Sequence, residues 1–81
     1  MEKEKLQDGD IVELADGSRY MVMHNKRILV NSVDFLAMDA YTEQLNSKFS
    51  KDRNIVKVRR PYFSPDWCEK NWGKVPTIFT R

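Results

Sequence analysis

Eighty-one residues, 41 % of them hydrophobic and with three glycines and three prolines, describe a single domain (1–81) near the lower limit for folding without staples, and exclude a disordered chain. A lone cysteine excludes an internal disulfide and fits a reducing compartment. The net charge of +2 is too mild for a generic nucleic-acid coat, but it is unevenly spread: residues 1–43 hold five basic and nine acidic side chains, residues 44–81 nine and three.

The chain opens on a polar lead over residues 1–5. MEKEKLQDGD is charged where a secretory signal would be apolar, and no apolar run approaches a membrane span, so the expectation is a soluble, cytoplasmic protein with no membrane contact. Ile11–Leu14 and Arg19–His24 then read as strands. Asp16-Gly17 between them is a tight-hairpin dipeptide, with both residues suited to positive φ. Val12 with Leu14, and Tyr20 with Val22, share one face; Met21 and Met23 make the other face of the second strand apolar too. That predicts a central strand covered on both sides.

Asn25-Lys26 is a second turn signal, feeding a strand over Arg27–Asn31. Val33–Met38 alternates as a further strand. Asp39 has the character of a helix N-cap, and Tyr41, Leu45 and Phe49 follow at i, i+4 and i+8, predicting an apolar stripe on a short helix or helix-like loop. Ile55–Arg60 reads as a strand with Val56 and Val58 inward and Lys57 and Arg59 outward, ended by Pro61. Ser64, Pro65 and Asp66 are start signals, Lys70 and Gly73 stop signals, so Ser64–Gly73 predicts a short capped helix with a left-handed glycine at its end. Thr77–Arg81 closes the chain as a last strand. The sum is a mainly β domain of five to six strands with one or two short helices, as a small SH3-like barrel or a strongly bent antiparallel sheet.

The segments LQDGDIVELADGSRYMV, VDFLAMDAYTEQL, NIVKVRRP and TIFTR together resemble a group of small phage and prophage proteins of Gram-positive bacteria. In outline these show an LxDGDxVxLxxGxRY hairpin, a YxxxL segment, an IVKVxRP strand and a short aromatic C-terminal strand. The resemblance runs from about Leu6 to the end of the chain, and the PDWCEKNWGKV stretch is its least typical part. It implies a viral or prophage origin, hence a bacterial host cell, and a β-rich fold. Its motifs are turn glycines, core positions and a strand-ending proline, and they carry over no site residues.

Catalytic signatures are missing from the sequence. His24 is the only histidine, and an isolated histidine is far more often a surface or packing residue than a general base. Cys68 near a helix start could be activated, but a small buried hydrophobe between Trp67 and Trp72 is the more ordinary reading. His24 and Cys68 cannot assemble a metal site, the DGD at 8–10 is too short for a calcium loop, and Gly9, Gly17 and Gly73 make no phosphate cradle. The expectation is therefore a protein that is not an enzyme, with no cofactor and no metal.

Binding chemistry concentrates in the second half. Arg59, Arg60, Tyr62, Trp72 and Lys74 form the primary candidate surface, with Lys57, Phe63, Trp67, Lys70 and Arg81 as secondary basic and aromatic candidates. Trp67 and Trp72 lie five apart, about 140° round a helix, so one belongs in the core and Trp72, beside Gly73 and Lys74, is the partly exposed one. An exposed aromatic beside arginine is the profile of a protein-interface anchor. With the resemblance, this reads as a phage-derived module that inhibits a bacterial host defence protein by direct contact, as an oligomer of itself or alone. The alternative is a small β-barrel binding nucleic acid or a nucleotide signalling molecule, in which cations meet phosphates and aromatics stack on bases.

Overall fold

A computed structural model describes residues 1–61 and 70–81. Six strands form one antiparallel sheet: β1 (Ile11–Leu14), β2 (Arg19–Met23), β3 (Ile28–Val30), β4 (Phe35–Ala37), β5 (Ile55–Arg59) and β6 (Thr77–Thr80). Their order across the sheet is β4-β3-β2-β1-β5-β6. The first four are a meander. The chain then crosses to lay β5 against β1 rather than against β4. Among the described residues β4 and β6 are the edges of the sheet, and the mainly β, antiparallel small domain is the one that the sequence predicts. The helical elements with defined bounds among the described residues are 3-10 turns of three residues, from Lys3–Lys5 to Trp72–Lys74. No helix among the described residues is long and apolar enough to cross a membrane.

The β1–β2 connection is a three-residue hairpin loop. Gly17 N–H donates to Leu14 O and Leu14 N–H to Ser18 O. Gly17 alone takes the positive φ, at 91°, so the loop is a turn followed by a glycine bulge, not the two-residue mirror turn that Asp16-Gly17 predicts. Asp16 instead accepts from the Ser18 N–H and hydroxyl, which holds its carboxyl below the usual aspartate value. The turn after β2 is also displaced. Residues His24–Lys26 form a 3-10 turn, and Arg27, not Asn25, enters the left-handed region at φ 54°.

Alternation decides what each strand buries. Val12 and Leu14 of β1, Tyr20 and Val22 of β2 and Leu29 of β3 point inward and are buried. In β5 the inward pair is Ile55 and Val58, not Val56 and Val58. The pairing runs Val12↔Val58, Glu13↔Lys57 and Leu14↔Ile55, so a bulge at the register shift puts two inward residues three apart. A second shift, between Val58 and Arg59, bends β6 against β5. Both bends curl the sheet round its core.

The inner face is closed by irregular chain. Leu6, Met38, Tyr41 and Leu45 join the strand residues in one buried cluster, and Leu45, 0 % exposed, holds a left-handed φ of 67° to get there. The predicted helical stripe is therefore only half realised. Residues 38–40 are a 3-10 turn, Tyr41 bridges back to Ser47, and Phe49 is exposed. Asp39 caps nothing; it pairs with Arg27. This segment coils over the sheet in place of the predicted helix.

Arg81 fastens the end of the chain. Its guanidinium donates to Ile55 O at 2.7 Å and to Asn46 Oδ1 at 2.6 Å, tying β6 to the lid formed by residues 41–47. The body of the predicted helix over 64–73, with Tyr62, Phe63, Trp67 and Cys68, lies outside the described residues. Its described end has no left-handed glycine: Gly73 sits within the 72–74 turn with negative φ.

Candidate functional site

The adjacent residues Arg59 and Arg60 serve opposite sides of the sheet. Ile11 pairs with Arg59, so Asp10 and Arg60, each one step further along its strand, meet on the core side. There Arg60 donates from Nε to Asp10 Oδ1 at 2.8 Å and from Nη2 to Oδ2 at 2.9 Å. Asp10 is 1 % exposed and takes a third bond from the Gln7 N–H. A forked guanidinium on a buried carboxylate is a structural joint, since the charge it would offer a partner is already neutralised.

Arg59 works on the outward face with Trp72. The 72–74 turn lays the indole against β1 and β2, where Nε1–H donates to Glu13 Oε1 at 3.2 Å. Arg59 Nε donates to the same oxygen at 3.3 Å, and its Nη1 donates to the carbonyls of Trp72 and Val75 at 3.0 and 3.1 Å. The guanidinium carbons of Arg19 and Arg59 lie 4.4 and 4.9 Å from the centre of the indole ring. This is an aromatic ring held by two cations over a shared carboxylate. Arg59 is nearly spent inside it, with 12 % of its side chain exposed, against 55 % for Arg19.

No family model matches this chain, and no significant match occurs among curated proteins or solved structures. The geometry of the face therefore has to carry its own meaning.

Next to the indole, the outward positions turn apolar. Across the strands, Phe35 pairs with Val30, Val30 with Met21 and Met21 with Ile11. Phe35 is 64 % and Met21 42 % exposed. The second face of β2 is thus apolar, as the sequence predicts, but among the described residues it is not covered. Cations stand at the other end: Arg19, Lys57, which pairs with Glu13, and the exposed Lys74. Lys70 is exposed as well.

Of the candidate residues, the structure brings Arg59, Trp72 and Lys57 to one face, with exposed Lys74 on the turn that carries the indole. It sends Arg60 to the core side and Arg81 to the chain end. Tyr62, Phe63 and Trp67 lie outside the described residues. Sequence reasoning passed over Glu13, Arg19, Met21 and Phe35. Their signal was present in the alternation of β1 and β2, where Glu13, Arg19 and Met21 occupy the positions opposite in phase to Val12, Tyr20 and Val22. His24 sits apart, with Nε2 3.5 Å from Glu4 Oε2. Arg27 bonds that same carboxylate and holds it below the ordinary glutamate value. Among the described residues no group of three or more His, Cys, Asp or Glu side chains converges on a point.

Proposed function

We propose that this protein is a non-enzymatic binding module that docks another protein on the outward face of its sheet. In the setting that the sequence resemblance implies, a phage or prophage product, the partner is a bacterial host protein whose defence role is blocked by occupation. The observation that carries the reading is the apolar row Phe35–Val30–Met21–Ile11, exposed at Phe35 and Met21, beside an indole fixed between two guanidiniums. Rigid aromatic and arginine groups beside apolar surface are what interface anchors are made of, because they lose little entropy on binding.

The nucleotide reading is weaker on the same geometry. Arg59 and Arg60, its central cations, spend their guanidiniums on Glu13 and Asp10. The Trp72 ring is engaged by arginines rather than open for a base to stack on.

The test is capture from bacterial lysate with wild type beside Met21→Glu and Trp72→Ala, each first checked for an unchanged unfolding transition. A specific partner retained by wild type and lost by Met21→Glu is the expected result. A partner held equally by all three would remove the face from the proposal. Oligonucleotides and cyclic nucleotides titrated at two salt concentrations address the alternative, since phosphate contacts weaken with salt.

A further inference from the structure

Resting on that reading of the outward face, we infer the chemistry of its occupant: an apolar segment of a partner protein that carries carboxylates at one end. The face has two unlike ends. On β3 and β4 the outward strand positions are Ile28, Val30, Phe35 and Ala37, with no charged side chain among them. On β1, β2 and β5 the outward groups that reach solvent include Arg19 and Lys57, and exposed Lys74 lies on the adjoining 72–74 turn.

The acid at that end does not offset them. Glu13 Oε1 already accepts from Arg59 Nε and Trp72 Nε1, and Arg19 Nε lies 3.8 Å from it. Its side chain is only 20 % exposed. Among the described residues, Arg19 and Lys57 against one carboxylate that Arg59 has neutralised leave the end positive. A segment that covers Phe35 and Met21 therefore gains most if carboxylates follow its apolar residues onto Arg19 and Lys57. One with lysines there meets like charge and is rejected.

A second copy is the weaker occupant. The parallel stacking of two such faces sets Arg19 and Lys57 against the same cations of the other copy. The reversed stacking sets those cations on the uncharged Phe35 end, which desolvates them without partners.

The experiment uses a random 16-residue peptide library displayed on filamentous phage, selected on the full-length protein and counter-selected on Phe35→Ser. Phe35 is exposed, so that variant keeps the core. The expected enrichment is of aromatic or aliphatic residues followed by Asp or Glu. Synthetic copies of the winners should bind at least tenfold more weakly to Phe35→Ser and about tenfold more weakly to Arg19→Glu, and should weaken with added salt. Winners that need Phe35 but carry no acidic residues, or that ignore Arg19→Glu, overturn the inference while leaving the face as a protein-binding surface. No winner sensitive to Phe35 overturns both readings. A wild-type dimer that Phe35→Ser dissociates in analytical ultracentrifugation assigns the face to a second copy and overturns the inference.

Discussion

Arg60 closes on Asp10 across a gap of 50 residues, two of its guanidinium bonds landing on a carboxylate that is 1 % exposed. Gly9, at φ 89°, turns the chain so that Asp10 enters the core side just before β1. Arg60 arrives from the end of β5, and its own backbone N–H is held by Pro76 O. The pair therefore joins the start of β1, the end of β5 and the approach to β6.

Removing Arg60 leaves Asp10 buried without its counter-charge, and removing Asp10 takes from the half-buried Arg60 the carboxylate that its fork grips. Arg60→Ala and Asp10→Ala are each expected to cost about 3 kcal/mol in urea unfolding. Arg60→Lys recovers little, because an ammonium cannot reproduce the fork. The double variant should be less destabilised than the two single losses added together. Additive losses would mean that the pair is not coupled.

On the opposite face, Trp72 and Arg59 are expected to be coupled by about 1 kcal/mol in a double-mutant cycle. Trp72→Phe keeps a ring beside the guanidiniums and loses only the Nε1–H bond to Glu13, so it should cost about 1 kcal/mol. Arg59→Ala frees two carbonyls and half-buried Glu13 of their donor, and should cost more than Trp72→Phe. A cycle with no coupling would leave Trp72 as mere surface filling.

The strands were legible because alternation and turn residues report the backbone directly. Val12, Leu14, Tyr20 and Val22 could be assigned inward from the sequence since the paired residues of β1 and β2 run without a register shift. Val56 was assigned inward wrongly, because a bulge is a property of the pair β1–β5 and leaves no mark in IVKVRR itself. The same limit hid the Asp10–Arg60 joint, whose two residues are linked only through strand register. Tyr41, Leu45 and Phe49 followed helical spacing by coincidence: once Leu45 takes φ 67° the period is broken and Phe49 falls outside. The cationic and aromatic character of the second half was readable, but which side each arginine serves was decided by the pleat.

Gly17 offers a test of turn geometry free of packing. A Cβ there would meet nothing within 4 Å, yet φ is 91°. The cost of Gly17→Ala is therefore backbone strain alone, about 1 kcal/mol, with a fall in Tm of roughly 4–8 °C for a domain of this size. Gly17→Asn should cost less, since asparagine enters the left-handed region more readily. Equal costs for the two would show that contact, not conformation, is responsible.

Tyr41 sets the alkaline limit. Its side chain is buried, its hydroxyl donates to Arg53 O at 2.8 Å, and burial pushes its pKa up to about 12 from 10.0. Below pH 10 the phenol is protonated in the folded and unfolded chain alike, and its contribution is fully present. Between pH 10 and 12 only the unfolded chain releases the proton, so stability falls as pH rises and the contribution is lost as pH passes the folded value. Tyr41→Phe is expected to be about 1 kcal/mol less stable than wild type at pH 8, because the Arg53 carbonyl loses its donor. That gap should close just below pH 11 and reverse above it in urea titrations, since the variant lacks the titrating group. A gap that stays constant through that pH would mean that the Tyr41 hydroxyl titrates in the folded protein as it does in the unfolded chain.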